Sequence, residues 1–180
     1  MTIGILEAPS SVGEKFDRAM RILAGVPGRD RAGTQYRHIG PFPERVLEAI
    51  PRSEADLASP YAMGWQYLLH DEEGFGVLDI SNKADGSYSS FRRGSFALGY
   101  LDALEAAQAE ASGSLDMCEL EVVEIPSAFT LMIAMRTKEL KLYPAYFRGK
   151  RLNPATKTFD ELHTLGPGDF HGDYAGPTPT

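Results

Sequence analysis

His70, Asp79 and Arg92 are the residues of this chain best suited to catalysis. They combine an imidazole beside the carboxylates of Asp71, Glu72 and Glu73, an acid inside an apolar run, and a guanidinium just ahead of a helix. As neighbours in a hairpin turn, His70 and its acids are equally an ordinary solvated loop, because adjacency alone does not build a site. Arg92 and Arg93, with the amides near Gly94 and Ser95, can hold an anion or pair with acidic neighbours. His163, Asp169, His171 and Asp173 have the donor types of a zinc-like site. Their Gly-rich surroundings argue against a pre-formed coordination sphere, so no metal and no cofactor is assigned.

Cys118 alternates with Leu120 and Val122, which reads as a buried thiol rather than a nucleophile. The aromatic row Tyr61, Trp65, Tyr67 and the pair Met132 and Met135 can line a pocket, but alternation of this kind first fills a core. No phosphate loop, paired-cysteine zinc motif, H-E-x-x-H helix or G-x-S-x-G elbow occurs, and Gly74-Phe75-Gly76 lacks the third glycine of a dinucleotide loop.

These residues need a scaffold, and 180 residues with 43% hydrophobic and 24% charged content suffice for one with a real core. A single cysteine excludes an internal disulfide. No run reaches the roughly 18 apolar residues of a membrane span, and Met1 to Ser11 carries no export signal, so a soluble, cytoplasmic protein without membrane contact is expected. The net charge of -7 is unevenly spread. Residues 54 to 135 hold 14 acidic and 3 basic groups, whereas residues 136 to 158 hold 7 basic and 1 acidic. An acidic centre is the wrong sign for nucleic acid, and it suits either solubility or a basic protein partner.

The longest apolar signal is Ala128 to Met135, apolar on both alternating faces, which predicts an internal strand covered above and below from Phe129 to Met135. Other strands are expected from Tyr61 to Leu69, Phe75 to Ile80, Tyr88 to Phe91 and Asp116 to Glu124, with an edge strand at Leu140 to Tyr146 because of Pro144. Glu14 to Ala24 reads as a short helix ending at Gly25-Val26-Pro27-Gly28, Arg29 to Gly40 as a polar loop, and Pro41 to Ala58 as at most two helical turns between prolines. The sequence therefore predicts an α+β fold: a mainly antiparallel sheet packed by one long helix at about 95-111, with short N-terminal helices and an irregular C-terminal tail. The organisation expected is a loosely built extension at 1-60, a core domain at 61-158 and an irregular Gly/Pro-rich tail at 159-180.

Two functions fit. The first is a non-catalytic interaction protein, such as an adaptor, an inhibitor or immunity-like protein, or an assembly subunit. It would use Glu119, Glu121, Asp102, Glu105 and Met132 against a protein partner, either a basic protein or a second copy. The alternative is a small enzyme or small-molecule-binding domain with a site built from scattered residues. The two are separated by whether a pocket encloses two or more of the candidate polar groups.

Overall fold

The computed structural model describes residues 3–4, 7–24, 37–60, 62–82, 90–112 and 118–172. In chain order the elements are β1 (Ile3–Gly4), α1 (Ser10–Ala24), β2 (Arg37–Val46), α2 (Glu54–Leu57), β3 (Ala62–Asp71), β4 (Gly74–Ser81) and β5 (Ser90–Arg93). They continue with α3 (Ser95–Ser112), β6 (Cys118–Ile125), β7 (Thr130–Arg136), β8 (Leu140–Phe147), β9 (Lys150–Arg151) and α4 (Phe159–His163). The fold is α+β, with the sheet order β5-β4-β3-β2-β6-β7-β8-β9. The sheet is mixed, because β6 runs parallel to both β2 and β1 while the other pairings are antiparallel. No helix among the described residues is long and apolar enough to cross a membrane.

The long helix touches β4 and β5 in one half of the sheet and β7, β8 and β9 in the other, so the sheet curls around it. Its buried stripe is built from small residues, Ala97, Gly99, Ala103, Ala107 and Ala111, with Tyr100 and Leu104 as the large members. Small side chains let helix and sheet approach closely. A Cβ on Gly99 would stand 2.5 Å from the Ala145 carbonyl oxygen, so this crossing requires glycine. On that face α3 covers Phe42, Leu68, Val77, Leu120, Val122 and Ile133 among others. The opposite face is covered in two places. The helix α1 packs Val12, Phe16, Ala19 and Leu23 on Tyr67, Leu69, Leu78 and Ile80, while Leu57 of α2 and Leu162 of α4 cover Val123, Ile125, Met132 and Ala134.

The doubly apolar segment forms β7, paired with β6 on one side and β8 on the other. Leu131, Ile133 and Met135 face α3, and Met132 and Ala134 face α2 and α4, which is the two-sided cover its composition demands. Phe129 departs from that expectation. It lies outside the strand with φ 45°, in the left-handed region, and is 73% exposed.

The largest correction falls on residues 37 to 46, expected as a loop and a proline-bounded short helix. They form β2, near the middle of the sheet. Its two prolines are tolerated because β6 pairs only with residues 44 to 46, and the register with β3 shifts between Ile39 and Phe42, where Pro41 lies. Pro144 is accommodated similarly. It lies on β8, inside the sheet rather than at its rim, beside a register shift between Leu131 and Met132. Residues 159 to 163, expected as irregular tail, form α4 with Thr158 as N-cap and a fully buried Leu162. The glycine breaker after α1, the segment 83–89 between the strands expected at Phe75 to Ile80 and Tyr88 to Phe91, Tyr61 and the chain beyond Gly172 lie outside the described residues.

Candidate functional site

Strand alternation creates the site as well as the core. On β2, Phe42 and Glu44 share the α3 face, as do Gln66 and Leu68 on β3, Val77 and Asp79 on β4, Ser90 and Arg92 on β5, and Val122 and Glu124 on β6. The register aligns Phe42 with Gln66, Gln66 with Asp79 and Asp79 with Ser90, while Glu124 lies beside Val46. Five neighbouring strands thus bring three carboxylates, an amide, a hydroxyl and a guanidinium to one end of a face that is otherwise apolar.

Arg92 bridges two of the acids. Its Nη1 donates to Glu124 Oε1 at 2.7 Å, and its Nη2 donates to Glu124 Oε2 at 2.7 Å and to Asp79 Oδ2 and Oδ1 at 2.8 and 3.0 Å. The guanidinium stacks on Phe96 of α3, 4.1 Å from the ring centre, which fixes its plane. The Ser90 hydroxyl also donates to Asp79 Oδ2. Glu44 has no such cation. Gln66 Nε2 donates to Glu44 Oε1 at 2.9 Å and to Glu124 Oε2 at 3.1 Å, and Glu44 also shares a hydrogen bond with Glu124.

These surroundings separate the proton affinities. Burial, reinforced by the charges of Asp79 and Glu124, pushes the Glu44 carboxyl up to about 8, so it holds a proton at neutral pH. Burial also raises Asp79, to about 6, against the opposing pull of Arg92 and Ser90. Tyr100 is driven well above its ordinary value by burial and by Asp79 and Glu44. Three buried polar atoms in this neighbourhood, the acceptor Gln66 Oε1, the hydroxyl Tyr100 Oη and the donor Arg92 Nε, have no hydrogen-bond partner. Gly64 makes room for Glu44, since a Cβ there would stand 2.5 Å from Glu44 Oε2.

The cluster opens into a cavity of about 520 Å³ whose walls include Val46, Met63 and Pro126. A larger cavity, about 720 Å³, lies between Ile50, Pro51, Arg52 and His163. Its polar lining is Glu48, Arg52, Asp56, Ser59 and His163, of which Asp56 is occupied in capping α2, accepting from Arg52 N and Ser53 N.

Of the residues singled out from sequence, Asp79 and Arg92 meet in this cavity, and His70 does not. His70 is exposed at the far end of β3, stacked on Phe75. Arg93 pairs with Asp71, so the two arginines are held by carboxylates rather than facing an anion. The zinc-like quartet does not assemble. His163 Nε2 lies 3.2 Å from the Pro51 carbonyl, Asp169 pairs with Lys157, and Asp173 lies outside the described residues. His171 is part of a different wall, near Phe170. Among the described residues the group of acids and histidines close enough to share one ion is Glu44, Asp79 and Glu124, within 4.8 Å of one another. Arg92 already supplies that group with a cation, and a divalent ion on the same oxygens would face its full charge at low dielectric, so the set does not fit a metal centre. Cys118 is buried beneath α3.

The acidic residues expected to receive a partner are divided between faces. Glu119 and Glu121 share the parity of Val123, away from α3, whereas Asp102 and Glu105 lie on α3 itself. Glu121 pairs with Arg45 and Asp102 with Arg151. Met132 is fully buried and presents nothing to a surface.

Glu44, Gln66 and Glu124 were not singled out from sequence. The signal for Glu124 was its place in the alternation Leu120, Val122, Glu124, an acid in an inward register. Glu44 carried no such signal because its strand was not recognised. No family model, curated protein or solved structure matches the chain.

Proposed function

We propose that this protein is a small-molecule-binding domain whose ligand enters the 520 Å³ cavity and meets Glu44, Asp79, Glu124 and Arg92 on its floor. The observation that carries this reading is the convergence of polar groups from five neighbouring strands into one opening, which a solvated acidic surface does not require. A protonated Glu44 beside arginine-held carboxylates gives the site a group that can donate a proton and groups that can accept one. Acid-base chemistry on the ligand is therefore within its means.

The test is a fragment screen on the ¹⁵N-labelled full-length chain, using neutral, cationic and anionic fragments at millimolar concentration. Amide shifts centred on Glu44, Gly64, Asp79 and Ser90, lost in Asp79→Asn, are the expected result. Fragments that leave those amides unmoved would overturn the reading. Shifts at the exposed Glu105 and Glu119 on addition of a basic protein would favour the interaction role instead.

A further inference from the structure

We infer that the ligand class is a small organic cation, a primary ammonium on a short apolar stem, seated among the carboxylates of Glu44, Asp79 and Glu124. This rests on the binding reading above and names its ligand.

The first argument is charge. The cluster holds three carboxyl groups and one guanidinium, and Arg92 reaches only Asp79 and Glu124. Glu44 has the Gln66 amide and a hydrogen bond with Glu124 but no cation, so the set lacks positive charge. The groups that face Glu44 are Gln66 from β3, Asp79 from β4, Arg92 from β5, Glu124 from β6 and Tyr100 from α3, and a proton on Glu44 makes good part of the shortage. An ammonium does the same and can displace that proton.

The second argument is the orphan oxygens. Gln66 Oε1 is a fully buried acceptor without a donor, and its amide head is fixed between Glu44 and Glu124. Tyr100 Oη is fully buried, close enough for Asp79 and Glu44 to act on it, and also without a partner. An ammonium carries three N–H donors and no acceptor, which suits carboxylates and an orphan carbonyl. A hydroxyl ligand would answer the orphan oxygens but not the charge. A divalent ion would answer the charge but meets Arg92 with twice the repulsion. An anion would meet the orphan Arg92 Nε but would deepen the excess of negative charge.

The third argument is the wall. Val46, Met63 and Pro126 border the opening, and Met63 is 47% exposed, so an alkyl stem has apolar surface to cover.

Calorimetry on the full chain with n-butylammonium, n-butanol, sodium acetate and magnesium chloride tests this, run in two buffers of different ionisation heat. The expected result is butylammonium binding at least tenfold tighter than butanol. Proton release from Glu44 should tighten its Kd by up to tenfold between pH 6.5 and 7.5. Glu44→Gln should abolish that pH dependence. Should that variant fail to fold, Met63→Ser at the exposed rim should reduce the advantage of butylammonium over methylammonium by about fivefold. Butanol binding as tightly as butylammonium, or binding without proton release, overturns the cation assignment and leaves the binding reading standing. Magnesium or acetate binding in place of the amine does likewise. No binding by butylammonium overturns the assignment, and only silence in the fragment screen as well removes the binding site itself.

Discussion

The two ends of the sheet face beneath α3 are made by the same alternation and held by opposite means. At one end Leu120, Ile133, Met135 and Ala145 pack on a helix stripe of alanines and glycine, and close approach is the source of stability. At the other end the same register positions carry Glu44, Gln66, Asp79, Arg92 and Glu124, and stability depends on each charge finding its partner. An apolar end tolerates a lost methylene at the cost of a cavity. The polar end does not tolerate a lost partner, because the remaining charge has no water to return to.

The comparison breaks most sharply at Arg92. Replacing it with Met leaves Asp79 and Glu124 without their cation, and urea denaturation is expected to show a loss of about 4 kcal/mol. Part of this should be recovered at acidic pH, where Asp79, raised to about 6, takes up a proton. Leu120→Ala is the matching test of the apolar end, where Leu120 pairs with Met135. It is expected to cost about 3 kcal/mol from the vacated volume, with no dependence on pH between 5 and 8. A pH-dependent loss at Leu120, or a pH-independent one at Arg92, would mean that the two ends are not held differently.

The smallest effect sharpens the comparison through protons. A carboxyl raised from 4.5 to about 8 binds its proton more tightly folded than unfolded, so the folded state is favoured at low pH and loses that advantage as pH rises through this window. Asp79, raised from 3.8 to about 6, acts in the same direction over a lower range. Stability is therefore expected to fall by about 2–3 kcal/mol between pH 6 and 8, and Glu44→Gln should flatten most of that slope. Thermal unfolding followed across this range reads it directly.

Much of the site was partly legible. Asp79 and Arg92 stood out as polar residues in or beside apolar runs, and the structure brings them within hydrogen-bond distance. His70 stood out for the same kind of reason and lies elsewhere, because a hairpin places its turn at the end of the strands, away from the row that Gln66 and Asp79 share. Glu44 could not be assigned, since Pro41 and Pro43 hide a strand whose prolines happen to fall where β6 does not pair. The partner residues were read from charge density along the chain, which carries no information about which face each acid occupies.

Alternation and composition along the sequence were enough to establish β7 as an internal strand, α3 as the long helix and Cys118 as a buried thiol. These follow from local periodicity, and a period of 2 or 3.6 residues survives whatever the rest of the chain does. Only the tertiary structure decided that β2 lies between β3 and β6, and with it that Glu44, Gln66, Asp79, Arg92 and Glu124 are neighbours. Register between strands far apart in sequence is set by the packing of the whole sheet. A site assembled across five strands exists only once that packing is complete.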